Sequence, residues 1–166
     1  MKNKAIFLDR DGIINKERGD YTYRLEHFEF VDGLVKSLRR FQKHGFKLIV
    51  VSNQSGIDKG IYTFEDVELL HAHIQRYMRI NGIEIEEIYY CPHHPDKGRC
   101  ICRKPDSLLI EKALARFEID PAASWFIGDR ERDTEAARKA GVRGILVESN
   151  SSLLELSEKI VHSPSN

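Results

Sequence analysis

The chain has no long hydrophobic run. Its first apolar stretch, Ala5-Ile6-Phe7-Leu8, is four residues in a sequence of 166. That is far short of the roughly 20 needed to span a bilayer and shorter than the apolar region of a secretory leader. No membrane partner is expected, and the cytoplasm is the expected compartment. The chain also has no excess of either charge. Lys+Arg and Asp+Glu both number 26, so no global basic field exists to attract nucleic acid. Cysteine is scarce: all three lie between Cys91 and Cys102. An odd count packed into one short segment argues against a disulfide framework and for a bound metal. Internal repeats and low-complexity linkers are missing too. The remaining composition, 41% hydrophobic and 31% charged, is ordinary for a soluble globular protein, and the length suits one domain over 1–166 with a sizeable core.

Short apolar runs alternate with helical periodicity, the pattern of an α/β fold around a mostly parallel sheet flanked by helices. Strands are expected at 4–8, 46–51, 86–90, 124–127 and 143–147. A helix is expected over 33–44, where Leu34, Val35, Leu38 and Phe41 share a face and Gly45 can end it. Thr63-Phe64-Glu65-Asp66 reads as a capping box opening a second helix, with Val67, Leu70, Ile74 and Met78 inward. Further helices are expected over 106–117, around Ala136, Ala137 and Ala140, and over 153–161 before a frayed end at 163–166. Residues 9–31 read as a polar loop, and no insertion long enough for a separate cap domain follows strand one or two. Tyr89, Tyr90 and Trp125 are expected in or at the edge of the core, and His71 and His73 on a solvated helix face.

In this pattern the polar motifs fall where strands end, and open α/β sheets bind ligands at the carboxyl ends of their strands. Strand one runs into Asp9-Arg10-Asp11-Gly12. A carboxylate at a rigid strand end can attack phosphorus, which makes Asp9 the candidate nucleophile. Asp11, two residues on, is placed to pass a proton to the leaving oxygen and take one from water. An anionic nucleophile needs positive charge to approach a phosphate, and hard oxygen donors suit Mg²⁺, with Asp129 after strand four as a further donor. Asp133 serves equally as a helix cap or as a residue behind the metal. Ser52-Asn53-Gln54-Ser55-Gly56 offers hydroxyl, amide and backbone N–H donors to a phosphate. Lys104 stands before Pro105 near a helix start, a good place for a phosphate-holding cation. Arg103 can meet a second anionic or polyhydroxyl group, and Arg130 extends the polar rim beside Asp129. The other charges over 131–139 read as a helix surface.

The most specific local signal is Cys91-Pro92-His93-His94-Pro95 followed by Cys100-Ile101-Cys102. Written as C-x-H-x6-C-x-C, it has the donors of a closed tetrahedral Zn²⁺ site, formed by Cys91, His93, Cys100 and Cys102. Four protein ligands leave no open position, so the site is expected to be structural, with His94 pointing elsewhere.

Asp9-x-Asp11, Ser52, Lys104 and Gly128-Asp129 resemble, in order, the four motifs of the haloacid dehalogenase superfamily of phosphatases. The zinc loop and Asn53-Gln54-Ser55-Gly56 are similar to the branch that acts on D-glycero-D-manno-heptose 1,7-bisphosphate or on histidinol phosphate. The resemblance covers about 4–147 and implies a three-layer Rossmann-like domain with no large cap and a zinc loop at 91–102. It implies Asp9 as nucleophile and Asp11 as acid and base, with Mg²⁺ on Asp9, the Asp11 carbonyl and Asp129. Ser52 and Lys104 would stabilise the transferring phosphoryl, and Asn53 and Arg103 would recognise substrate. The loop over Glu17, Arg18, Gly19 and Asp20 would face substrate as well, beside Gln54, Ser55 and Arg130. Tyr89-Tyr90, Cys91-Pro92-His93-His94-Pro95 and Phe28-Glu29-Phe30 resemble the heptose enzymes of lipopolysaccharide and S-layer sugar synthesis. The short interval from His93 to Cys100, and Arg130 itself, are closer to the histidinol-phosphate enzymes. The resemblance favours the heptose bisphosphate, a phosphorylated sugar, as substrate, and a monomer is expected because no stretch stands out as an exposed apolar interface. The alternative of another class is a non-catalytic phospho-receiver or zinc-loop binding module.

Overall fold

Four consecutive apolar residues can be hidden on both faces only at the centre of a sheet. In the computed structural model, which describes residues 2–163, β1 (Lys4–Leu8) takes that place, with Ala5 to Leu8 fully buried. The other strands are β2 (Phe46–Asn53), β3 (Ile85–Cys91), β4 (Trp125–Gly128) and β5 (Arg143–Leu146). They lie in the order β3-β2-β1-β4-β5, and every pairing is parallel. The chain builds outward from β1 to β3, then crosses back to β4 on the other side. The strand order therefore reverses at β1 and β4, where a crevice opens at the carboxyl edge.

The helices are α1 (Leu34–Lys43), α2 (Phe64–Ile80), α3 (Leu108–Arg116), α4 (Glu131–Lys139) and α5 (Leu154–His162). Alternation along β1 splits the core in two. Ile6 and Leu8 pack with Leu38 and Phe41 of α1, Ile74 and Met78 of α2, and Ile160 of α5. Ala5 and Phe7 pack with Ile110 and Ala113 of α3 and with Ala136 and Ala137 of α4. The result is the expected three-layer α/β architecture. The Thr63 cap forms as read: Thr63 Oγ1 accepts from the Asp66 N–H, and Asp66 Oδ2 accepts from the Thr63 N–H. No helix among the described residues is long and apolar enough to cross a membrane.

The structure corrects several expectations. β2 runs two residues further, because Ser52 and Asn53 still pair with Tyr90 and Cys91; β3 likewise reaches Cys91 and ends on a metal-ligand candidate. The helix expected from 106 starts at Leu108, since Asp106 N–H closes a turn on the Arg103 carbonyl. The loop after β1 is not wholly polar. Ile13 and Ile14 are fully buried, turned inward by a tight turn in which Arg10 O accepts from the N–H groups of 13, 14 and 15. His71 is buried rather than solvated, and His73 is half-buried, stacked against Phe30. Tyr89, Tyr90 and Trp125 are half-buried at the core edge. The end of the tail, 164–166, lies outside the described residues.

Candidate active site

The crevice holds a cavity of about 370 Å³. Asp9 and Asp11 reach it from the end of β1, Asn53, Gln54 and Ser55 from β2, and Asp129 and Arg130 from β4. Glu17, Gly19 and Asp20 line it from the loop after β1, and Arg103 from the segment after the Cys/His cluster. Most of the predicted set is thus brought together. Three members stand apart. Arg18 lines a separate surface hollow with Glu26 and Phe28. Ser52 and Lys104, each 1% exposed, lie in the protein interior rather than in the cavity lining.

Lys104 is the centre of that buried layer. Its Nζ donates to Asp9 Oδ1 at 2.8 Å and to the Val51 carbonyl at 2.7 Å. It also stands 2.7 Å from Asp133 Oδ1. A buried ammonium is costly unless charges of opposite sign meet it. Burial works to lower the Lys104 pKa, but Asp9 and Asp133 outweigh it and the net shift is upward. Asn53 holds the Lys104 backbone with both ends of its amide, accepting from Lys104 N–H at 3.0 Å and donating to Lys104 O at 3.1 Å. The amide expected to face substrate therefore fixes the stem of the cation.

Asp9 itself is pushed up to about 7, first by burial and further by Asp133 and Asp11, while Lys104 pulls it down. Asp9, Asp129 and Asp133 can each offer a carboxylate oxygen, all within 4.8 Å of one another. Asp133 is occupied by Lys104, and its Oδ2 accepts from the Arg130 N–H at 3.1 Å. It is both the helix cap and the anchor of the cation. Asp129 is different: its side chain is 1% exposed and both oxygens are buried with no hydrogen-bond partner, Arg130 Nε standing 3.8 Å from Oδ2. Such oxygens are costly to leave bare, and they suit a hard cation. Gly12 makes room for them. A Cβ there would sit 2.2 Å from Asp129 Oδ2, and its φ of +88° is one that side-chain-bearing residues avoid.

The Asp11 side chain, the candidate proton carrier, is held by three donors. Oδ1 accepts from Arg10 Nη2 at 2.8 Å and Asn15 Nδ2 at 2.9 Å, and Oδ2 accepts from Gln54 Nε2 at 2.9 Å. Burial works to raise its pKa, but the Arg10 charge and these donors outweigh it and lower it overall. Gln54 borders the cavity, yet its amide is wholly engaged inside the protein.

The Cys/His cluster lies behind the site, with its chain neighbours His94 and Arg103 lining the cavity. Cys91 Sγ lies 3.4 Å from His93 Nδ1, 3.7 Å from Cys100 Sγ and 3.0 Å from Cys102 Sγ, and His93 Nδ1 lies 3.3 Å from Cys102 Sγ. Four soft or borderline donors facing one point fit a tetrahedral metal. His94 stays out of the cluster: its Nδ1 accepts from the Asp96 N–H at 3.2 Å, its backbone N–H donates to Asp58 Oδ2 at 2.8 Å, and it borders the cavity instead.

Sequence reasoning missed several members. Arg10, 1% exposed, links Asp11 to the Thr22 carbonyl at 2.7 Å. Tyr21 and Thr22 line the cavity. Arg132 was read as helix surface, but it lines the same cavity with a buried, unpartnered Nε. It stands close enough to Arg103 that burial and the Arg132 charge together hold Arg103 below the ordinary arginine range. The only signal for these residues was their position beside a motif.

Comparisons with known proteins bear on the same edge of the sheet. The family described as HAD-hydrolase-like matches residues 101–165. D-glycero-beta-D-manno-heptose-1,7-bisphosphate 7-phosphatase of Haemophilus ducreyi is 36% identical over 166 aligned residues, covering 96% of this chain and 91% of that protein. The enzyme of the same name from Escherichia coli (strain K12) is 41% identical over 144 residues, covering 83% of this chain and 75% of its own. A crystal structure of D,D-heptose 1,7-bisphosphate phosphatase from B. bronchiseptica, complexed with magnesium and phosphate, superposes with a TM-score of 0.82 at 28% identity, over 93% of this chain and 86% of that one.

Proposed function

The chain belongs to the haloacid dehalogenase-like hydrolases, in the family of the D-glycero-beta-D-manno-heptose-1,7-bisphosphate 7-phosphatases, and from that premise we propose that it removes the 7-phosphate of D-glycero-D-manno-heptose 1,7-bisphosphate. The observation that carries this reading is the pairing of Asp9, clasped by buried Lys104, with the two bare carboxylate oxygens of Asp129 at one cavity. Asp9 attacks phosphorus, the bond from phosphorus to the sugar oxygen breaks, and Asp11, ionised at rest, passes to that oxygen a proton it has taken up from the phosphate monoanion or from water. In the second step Asp11 takes a proton from water, which releases inorganic phosphate from the aspartyl-phosphate. Lys104, its three N–H groups on Asp9, Asp133 and the Val51 carbonyl, acts on the transferring group by its charge through Asp9, and Ser52 belongs to the same buried layer. Each donor on Asp11 must be shared or yielded when that carboxylate carries a proton.

Asp9, the Asp11 carbonyl and Asp129 form the donor set for Mg²⁺, whose charge would keep Asp9 ionised and offset that of the phosphoryl oxygens. Cys91, His93, Cys100 and Cys102 would hold a structural Zn²⁺. In this reading the chain is a single catalytic domain, working as a monomer in the cytoplasm on nucleotide-activated heptose synthesis.

Substrate choice rests on the cavity wall. Arg103, Arg130 and Arg132 give it three guanidinium groups, which suit the second phosphate of a bisphosphate. Glu17 and Asp20 stand on the loop after β1, Glu17 Oε2 lying 3.7 Å from Arg130 Nη2. They suit sugar hydroxyls, or the ammonium of histidinol phosphate, the runner-up substrate. A kcat/KM comparison with Mg²⁺ among both heptose bisphosphate anomers and histidinol phosphate decides between them. The β anomer of the named relatives is expected to be best. Asp9→Asn is expected to abolish turnover with the fold intact; wild-type phosphate release from that variant would overturn the mechanism.

A further inference from the structure

The buried amide of Gln54 has three partners. Nε2 donates to Asp11 Oδ2 at 2.9 Å and to Ser52 Oγ at 2.8 Å, while Oε1 accepts from the Tyr62 hydroxyl at 2.7 Å. Gln54 is 2% exposed and Tyr62 4%. A carboxamide is nearly symmetric in shape, so its orientation is set by what faces each end. With Tyr62 donating to Oε1, the amide must turn its N–H groups toward Asp11 and Ser52. Without that hydroxyl the buried Oε1 loses its partner, and the amide is held at its Nε2 end alone, by Asp11 and Ser52. Burial pushes the Tyr62 pKa up to about 12, so the hydroxyl keeps its proton at any working pH.

Tyr62 is itself closely placed. Gly56 lies against its ring, and a Cβ there would come within 2.0 Å of Tyr62 Cε1. Tyr23 stacks on the other side, 5.2 Å between centroids and 17° between planes, and Tyr21 meets it edge-on at 5.7 Å. Tyr21 belongs to the loop that lines the cavity. That loop also reaches Asp11 by a second route, through the Thr22 carbonyl and Arg10.

We infer that Tyr62, acting through Gln54, is a positioning residue for the Asp11 carboxylate and couples its placement to the cavity loop that carries Tyr21. The inference rests on the phosphatase reading above. In the first step the phosphorus–oxygen bond breaks as the Asp9–phosphorus bond forms, and the proton passes from Asp11 to the departing oxygen. An alkoxide leaving group needs that proton far more than 4-nitrophenolate does. A displaced Asp11 therefore slows cleavage of an alkyl phosphate selectively, which a general loss of structure would not do.

The test measures kcat/KM with Mg²⁺ for wild type and Tyr62→Phe, on heptose bisphosphate and on 4-nitrophenyl phosphate. Tyr62→Phe keeps the ring stack and removes one hydroxyl. It is expected to lose about tenfold or more on the sugar phosphate and within about twofold on the aryl phosphate. Gln54→Leu should show the same selectivity, and the double variant should lose no more than either alone. Equal losses on both substrates, or no loss on either, overturn the inference. A crystal structure of Tyr62→Phe supplies an arm independent of turnover: an unmoved Gln54 amide and Asp11 carboxylate would also overturn it. A wild-type protein that cleaves neither ester would sink the phosphatase reading, while the crystallographic arm still decides the positioning.

Discussion

Replacing Lys104 by methionine keeps the length of the side-chain stem and removes one charge from the centre of the molecule. Three contacts go with it: Asp9 Oδ1 at 2.8 Å, Asp133 Oδ1 at 2.7 Å and the Val51 carbonyl at 2.7 Å. Two buried carboxylates then share a site with no cation between them. Breaking a buried ion pair on one side costs about 3–5 kcal/mol, and Asp9 can limit the loss by taking up a proton. For a chain of this length each kcal/mol is worth about 2–4 °C, so Tm should fall by roughly 6–20 °C. The assay is thermal unfolding by circular dichroism at neutral pH in magnesium-free buffer. No chelator is added, so that the Cys/His loop is left alone. Asp133→Asn in the Lys104→Met background removes one of the two carboxylates and should recover part of the loss. Mg²⁺ should raise Tm more in the variant than in wild type, because it restores a countercharge. A fall under about 3 °C, with no recovery in the double variant, would refute the account of Lys104 as counterion to both carboxylates.

Two further outcomes follow from buried groups elsewhere. Elemental analysis should find about one zinc per chain in wild type and little in Cys100→Ser, with a lower Tm for the variant; a metal-free wild type of undiminished stability would contradict the zinc site. Burial lowers the His71 pKa to about 3, so the unfolded chain binds a proton there that the folded one refuses. That contribution is complete above the ordinary histidine pKa and is lost as pH falls toward 3, by about 2 kcal/mol between pH 7 and pH 5. Urea denaturation of His71→Leu across that range should show a shallower acid loss than wild type, and an unchanged slope would refute it.

The parts of the fold legible in the sequence were those where local pattern and tertiary demand agree. Ala5 to Leu8 form a central strand because an unbroken apolar run has nowhere else to go. Thr63 and Asp66 cap α2 because both partners lie within one turn. Strand ends could be read from where apolar residues stop, and with them the rim on which Asp9, Asn53 and Asp129 meet. The sequence could not show which polar groups satisfy one another. Asn53 and Gln54 looked like donors for a ligand, yet one holds the Lys104 backbone and the other Asp11, across 51 and 43 residues. Arg132 reads as a solvated charge because arginine usually is one, and nothing local marks Arg10; only packing encloses the two. Ile13 and Ile14 were hidden by polar neighbours, since a two-residue apolar stretch has no period to read.

The reversal of strand order at β1 has a consequence for how the protein comes into being on the ribosome. Asp9 is made early, but its counterion Lys104 follows 95 residues later, and Asp129 and Asp133 later still. Until then the nascent chain holds a first strand whose Asp9 carboxylate lacks its countercharge, while Asp11 already has Arg10 beside it. Closing so long a loop costs entropy before any contact repays it. The cavity at the carboxyl edge is therefore among the last parts to be completed, since Asp129 and Asp133 follow Asp9 by more than a hundred residues.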